Sequence, residues 1–234
     1  MTPLDDLSAL GPVDAVLFDA GGVFIVPSPE VVRAVLGVEH GDDHLVAAHY
    51  RATASLDAAA AAGGDRWAAY FAAYAEAISW AGPPELVADL WQGRTSDLLW
   101  IHRVDDHAEA LADLVAGGIR VGIVSNSDGT VEAILSERRV CQVGPGGGPE
   151  VLVIVDSTVA GVAKPDPAIF APALAALGTA PDRTLYVGDS RYYDVGGATA
   201  AGLVPVLVDP LDLGGEPACV RISSLRTLVD HLLA

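Results

Sequence analysis

Apolar residues gather in five short runs along this chain, at residues 13–19, 120–125, 151–156, 184–189 and 203–209, and each run ends on a polar or charged side chain. Runs of this length, apolar on consecutive positions, predict strands buried on both faces. Helical stretches are predicted at 106–116, 130–139, 167–177, 194–201 and 224–233. The alternation of helix and strand predicts a parallel sheet with helices over both faces, the doubly wound α/β class. Open sheets of this class bind ligands beyond the carboxyl ends of their strands, which is where this chain puts its polar residues.

Residues 27–100 break the rhythm. Strand-like runs vanish and alanine-rich helical patterns replace them. Trp67, Phe71, Tyr74 and Ile78 fall on one helical stripe, expected to be the core of that segment. Gly63-Gly64 and Ala81-Gly82-Pro83-Pro84 punctuate it as turns. The segment is expected to be a bundle of about four helices inserted into the α/β core, with residues 1–26 and 101–234 forming that core and 27–100 a separate helical domain. Residues 1–12 are expected to be a loose leader. The Gly144-Pro145-Gly146-Gly147-Gly148-Pro149 stretch is expected to be a flexible linker, because no helix opens after it to make a phosphate loop.

A chain of 234 residues holds one good core, or a core and a smaller module. The formal net charge of −18 weighs against nucleic acid and anionic membranes as partners. Cys141 and Cys219 are far apart and form no CxxC pair, so neither a zinc site nor a disulfide framework is suggested. Met1-Thr2-Pro3-Leu4-Asp5-Asp6 contains no basic region leading into an apolar stretch, and no apolar run is long enough to span a bilayer. The cytoplasm is the expected location.

Lys164 is the chain's only lysine; the other strongly basic residues are all arginine. A position that keeps lysine against that bias needs a compact ammonium more than a planar fork. It sits in Gly161-Val162-Ala163-Lys164-Pro165-Asp166-Pro167-Ala168-Ile169-Phe170. Three other segments belong with it: Phe18-Asp19-Ala20-Gly21-Gly22-Val23, Val124-Ser125-Asn126-Ser127, and Val187-Gly188-Asp189-Ser190 followed by Asp194 and Gly197-Ala198-Thr199-Ala200-Ala201-Gly202. In this order and at these separations they resemble the four motifs of the haloacid dehalogenase-like hydrolase superfamily. The helical insert stands where that family carries a helical C1-type cap. The resemblance implies a Rossmann-like core and a hydrolase of a small phosphorylated metabolite. Asp19 would attack phosphorus to form an aspartyl-phosphate. Ser125, Asn126 and Lys164 would bind the phosphoryl group. Asp19, the backbone of Gly21, Asp189 and Asp194 would hold Mg²⁺, a cation that takes hard oxygen ligands.

One position departs from the pattern. Most phosphatases of the family carry a second aspartate two residues after the nucleophile, as general acid and base. Here that residue is Gly21, and such groups contribute roughly 10²–10⁴-fold. Three readings remain open. The substrate has a leaving group that needs little protonation; another residue, from the cap or Asp128, supplies the proton; or the protein binds a phosphorylated ligand without turnover. Dehalogenation, which needs no proton for its leaving group, is a weaker alternative because that branch lacks the Gly188-Asp189 metal signature. Elsewhere, His40, His44 and His49 are expected on a solvated surface of the helical insert and His107 near a helix start, while Arg191-Tyr192-Tyr193 is either part of the site rim or an ordinary loop.

Overall fold

The computed structural model describes residues 3–92, 96–215 and 219–234. The chain runs through β1 (Ala15–Phe18), β2 (Ile25–Pro27), α1 (Pro29–Leu36), α2 (Asp42–Ala61), α3 (Arg66–Ala77), α4 (Pro84–Gln92), α5 (Ser96–Leu99), β3 (Trp100–Arg103), α6 (Asp105–Ala116), β4 (Arg120–Ser125) and α7 (Val131–Glu137). It continues through β5 (Gln142–Val143), β6 (Glu150–Val151), β7 (Val153–Asp156), α8 (Ser157–Ala160), α9 (Ala171–Leu177), β8 (Thr184–Gly188), α10 (Gly196–Ala200), β9 (Val204–Val208), β10 (Val220–Ile222) and α11 (Leu225–Leu232).

Six strands form one parallel sheet in the order β10-β9-β8-β1-β4-β7. β1 is wholly buried, and its side chains alternate between two cores as strand geometry requires. Val16 and Phe18 join a cluster with Leu111 and Leu114 of α6 and Leu228 of α11, while Ala15 and Leu17 join one with Ala173 and Leu177 of α9. Truncating Phe18 to alanine in such a core costs about 3–5 kcal/mol. A third cluster lies within the helical segment, around Leu45, Tyr70, Tyr74 and Val87.

β1 sits between β4 and β8, so the strand order reverses there, and ligand crevices of doubly wound sheets open at such a reversal. Phe18 pairs in register with both Ile123 and Val187. Asp19 and Asp189, which follow β1 and β8, and Ser125, which closes β4, therefore emerge at the same edge of the sheet.

The five predicted core strands are present, the third beginning at Val153 with Glu150–Val151 as a separate short strand. Other expectations need correction. Strand structure does occur at the ends of the helical segment: β2 and β3 form an antiparallel pair, which also ties the entry and exit of that segment together. The leader is anchored from residue 4 onward, because Asp5 N donates to the Arg221 carbonyl and the Asp5 carboxylate accepts from Ser223 N at 2.7 Å. The glycine-rich stretch joins β5 to β6 instead of a helix to a strand. Gln142 reaches across it to the Gly148 carbonyl at 2.7 Å and accepts from Gly148 N at 3.0 Å, so the loop is pinned.

Candidate active site

Beyond the carboxyl edge of the sheet lies a cavity of about 370 Å³. Asp19, Gly21, Ser125, Asn126, Lys164, Asp189 and Asp194, all singled out in the sequence, line it. Lys164 is buried in this lining. Its ammonium stands 2.9 Å from Asp19 Oδ1 and 2.7 Å from Asp194 Oδ1, and donates to the Tyr186 hydroxyl at 2.7 Å. Asn126 fixes the backbone that carries it: the side-chain amide donates to the Lys164 carbonyl at 3.0 Å and its oxygen accepts from Lys164 N at 2.8 Å. That side chain is thereby committed to Lys164. Asp194 stands on a π-helical turn, Arg191–Val195, and its second oxygen accepts from Ser190 N at 2.9 Å. A side chain at Gly188 would collide with Asp194, its Cβ falling 2.3 Å from Asp194 Cγ.

Three carboxylates against one ammonium leave this pocket negative. Burial, with the neighbouring Asp194 and Asp189 charges added, pushes the Asp19 carboxyl up to about 7 despite the opposing pull of Lys164. Burial works against the Lys164 ammonium too, yet Asp19 and Asp194 outweigh it and hold the group above its ordinary value. Oxygens of Asp19, Asp189 and Asp194 lie within 4.8 Å of one another. An excess of hard anionic oxygens converging on one point fits a divalent cation such as Mg²⁺, which neutralises them without demanding a complete protein cage.

Gly21 and Gly22 have different reasons to be glycine. Gly22 has φ 69°, in the left-handed region, and a Cβ there would stand 2.2 Å from Asp189 Cγ. Gly21 is outside that region. A Cβ on it would meet the Trp100 indole at 3.3 Å, so the space an aspartate would occupy is bordered by an aromatic ring from β3.

The helical segment contributes more to the cavity than the sequence reading assigned to it. His49 is buried, not solvated, with Nδ1 2.9 Å from the Tyr70 hydroxyl and Nε2 3.2 Å from Asp189 Oδ2. His40 and His44 instead stack on each other at 4.2 Å and bond the Ile78 and Ala77 carbonyls. Thr53 donates to Asp189 at 3.3 Å, and Tyr50 donates to the Gly22 carbonyl at 3.0 Å. Asp57, one further turn along α2, accepts from Ser190 Oγ at 2.7 Å, Arg191 N at 2.7 Å and Tyr192 N at 3.0 Å. The face of α2 carrying positions 49, 53 and 57 therefore grips the loop that holds Asp189, as i, i+4, i+8 spacing allows. Of the aromatic stripe, Phe71, Tyr74 and Ile78 are buried as expected, but Trp67 is 41% exposed and lines the cavity. Of Arg191-Tyr192-Tyr193, Tyr193 reaches the lining, and Arg191 and Tyr192 are not among the lining residues. His107 is buried near the start of α6 and bonds the Val23 carbonyl. Asp128 is outside the lining and accepts from the Thr130 hydroxyl.

These features, on this sheet, define a class. The chain belongs to the haloacid dehalogenase-like hydrolases, whose family model matches residues 13–202. It is 34% identical over 124 residues to a phosphoserine phosphatase of Thermus thermophilus, covering 51% of this chain and 47% of that protein. It is 37% identical over 108 residues to a phosphoglycolate phosphatase of Rhodospirillum rubrum, covering 46% and 41%. The matched stretch thus spans less than half the length of either relative. Among solved structures, a magnesium-bound HAD-hydrolase, YfnB, from Bacillus subtilis shares the fold with a TM-score of 0.63 and 17% identity, over 95% of this chain and 99% of that one. Among the described residues no helix is long and apolar enough to cross a membrane.

Proposed function

We propose that the protein is a phosphoric monoester hydrolase, with Mg²⁺ as cofactor, acting on a small phosphorylated metabolite. Residues 1–26 and 101–234 are its catalytic core and 27–100 its cap. The observation that carries this reading is the convergence of Asp19, Lys164, Asp189 and Asp194 on one cavity at the reversal of the sheet. The phosphatase names of the curated relatives support it.

Asp19 attacks phosphorus with a carboxylate oxygen. The bond from phosphorus to the leaving oxygen breaks, and the phosphoryl group is carried on Asp19. Water then attacks that phosphorus, the bond to Asp19 breaks, and the carboxylate is restored as inorganic phosphate departs. Lys164 holds its ammonium beside the attacking oxygen and offsets charge on the phosphoryl oxygens. Ser125, buried at the end of β4, offers its hydroxyl to them. Asn126 keeps Lys164 in position through its backbone. Asp19, Asp189, Asp194 and the Gly21 carbonyl would hold Mg²⁺, which offsets the repulsion between nucleophile and phosphate. The proton for the leaving oxygen has no carboxylate source at position 21, so the reading favours substrates with good leaving groups. Gly21 beside Trp100 is also the observation that favours a second reading, a weakly active member that mainly binds its ligand.

Phosphate release from acetyl phosphate, measured with Mg²⁺ and with EDTA, separates the two. Hydrolysis that needs Mg²⁺ and falls by several orders of magnitude in Asp19→Asn is the expected result. Absence of turnover leaves the binding reading. Full activity in excess chelator, or in Asp19→Asn, removes the mechanism.

A further inference from the structure

The site treats one anion generously and provides for no other. Among the described lining residues Lys164 is the sole permanent cation, and it already faces two carboxylates. His49 has Nδ1 against Tyr70, while its Nε2 makes no hydrogen bond and lies 3.2 Å from Asp189 Oδ2, so the nitrogen it leaves open faces a carboxylate already present. Arg33 bonds Asp42, and Arg66 bonds the Tyr192 hydroxyl; neither lines the cavity. The lining away from the charged cluster is mainly apolar or aromatic, with Ile25, Leu56, Trp67, Tyr70, Trp100 and Ile134, and its polar members there, such as Thr53 and Ser127, are uncharged hydroxyls.

We propose that the leaving group of the substrate is uncharged and presents an apolar or aromatic face to Trp67, Trp100 and Leu56. The proposal rests on the phosphatase reading and narrows its substrate class. With one divalent cation bound, the formal charges of the three carboxylates and Lys164 cancel, and the phosphate brings its own two negative charges. A carboxylate or second phosphate on the same molecule would enter the cavity with no second permanent cation to pair with it. Burying an unpaired charge is costly enough to reduce affinity by about 10²-fold or more. A flat apolar group instead gains from removal of its surface from water and from ring contacts. Phosphoserine and phosphoglycolate, the substrates in the names of the two relatives, each carry a carboxylate beside the phosphate. The class proposed here excludes both.

Calorimetric titration of the whole chain, in Mg²⁺, with two non-hydrolysable phosphonates tests this without relying on turnover. Benzylphosphonate is expected to bind at least about tenfold more tightly than phosphonoacetate. Trp67→Arg, at a partly exposed position, is expected to lower that ratio by about tenfold by supplying the missing cation. A wild-type ratio near one, tighter phosphonoacetate, no binding of either compound, or a folded Trp67→Arg protein with an unchanged ratio would overturn the proposal. Phosphate release from phenyl phosphate, phosphoglycolate and acetyl phosphate is the parallel measurement. No release from any of the three removes the phosphatase reading, whereas preferential binding of benzylphosphonate still stands as a property of the cavity.

Discussion

Replacing Gly22 with alanine should damage the protein in two separable ways. The residue sits at φ 69°, and an L-residue held in the left-handed region costs about 1–2 kcal/mol. For a domain of this size each kcal/mol moves the melting temperature by roughly 2–4 °C, so a drop of about 2–8 °C is expected. The second effect is on Asp189. The added methyl would stand 2.2 Å from its Cγ, so the carboxylate must swing away from Thr53 and His49. Displacing one carboxylate of the proposed cation site should weaken Mg²⁺ binding by roughly 10–100-fold, the range seen when groups that orient metal ligands are lost. Gly21→Ala is the internal control. It has no left-handed strain, and its methyl meets only the edge of Trp100 at 3.3 Å. Thermal melts in EDTA read the first effect, and the shift in melting temperature on titrating Mg²⁺ reads the second. If Gly22→Ala melts within about 1 °C of wild type and responds to Mg²⁺ identically, the geometry assigned to this turn is wrong.

Three further perturbations test the rest of the site. Gly21→Asp alone must push against Trp100, but Gly21→Asp with Trp100→Ala has room for the carboxylate, and only the double variant should raise turnover of alkyl phosphates, by up to about 10²-fold; equal alkyl and activated rates in wild type would show that a proton donor is already present. Burial raises the Asp19 carboxyl from 3.8 to about 7, so the folded metal-free protein binds that proton more tightly than the unfolded chain. The stability this confers is complete below about pH 4 and lost as pH rises to about 7. In chelator, wild type should therefore lose ground to Asp19→Asn across that window in urea titrations, and a gap moving in wild type's favour would contradict the assignment. Asp57→Ala strips an acceptor from the Ser190 hydroxyl and from Arg191 N and Tyr192 N, and should cost roughly 2–4 kcal/mol in the same titrations; a loss under about 0.5 kcal/mol would mean that water takes over those donors.

What the sequence displays about this site is what local spacing encodes. Asp19, Ser125 and Asp189 each follow an apolar run, and parallel pairing in register does the rest. The lone lysine advertised itself through composition. His49 carried no such mark. Its polar neighbours suggested a solvated surface, and only the approach of α2 to the Asp189 loop, a contact across 140 positions, buries it. Trp100 at the end of the helical segment gave no hint of its place beside Gly21, because that depends on the antiparallel pairing of two strands, each three or four residues long, with residues 28–99 between them. Short strands of that kind leave almost no periodic signal. Trp67 obeyed its helical stripe, but a stripe shows which face is apolar and cannot show that one end of it opens into a cavity.

The solitary lysine has a practical consequence. Lys164 lies buried against Asp19, Asp194 and Tyr186, and the sequence contains no other side-chain amine. An amine-directed reagent therefore has one side-chain target, buried in the lining of the cavity. In most proteins dozens of surface lysines swamp any such signal. Here ε-amine modification, readable by mass spectrometry with no tag, no introduced residue and no substrate in hand, reports on this one site and on how readily its ammonium is released from Asp19 and Asp194.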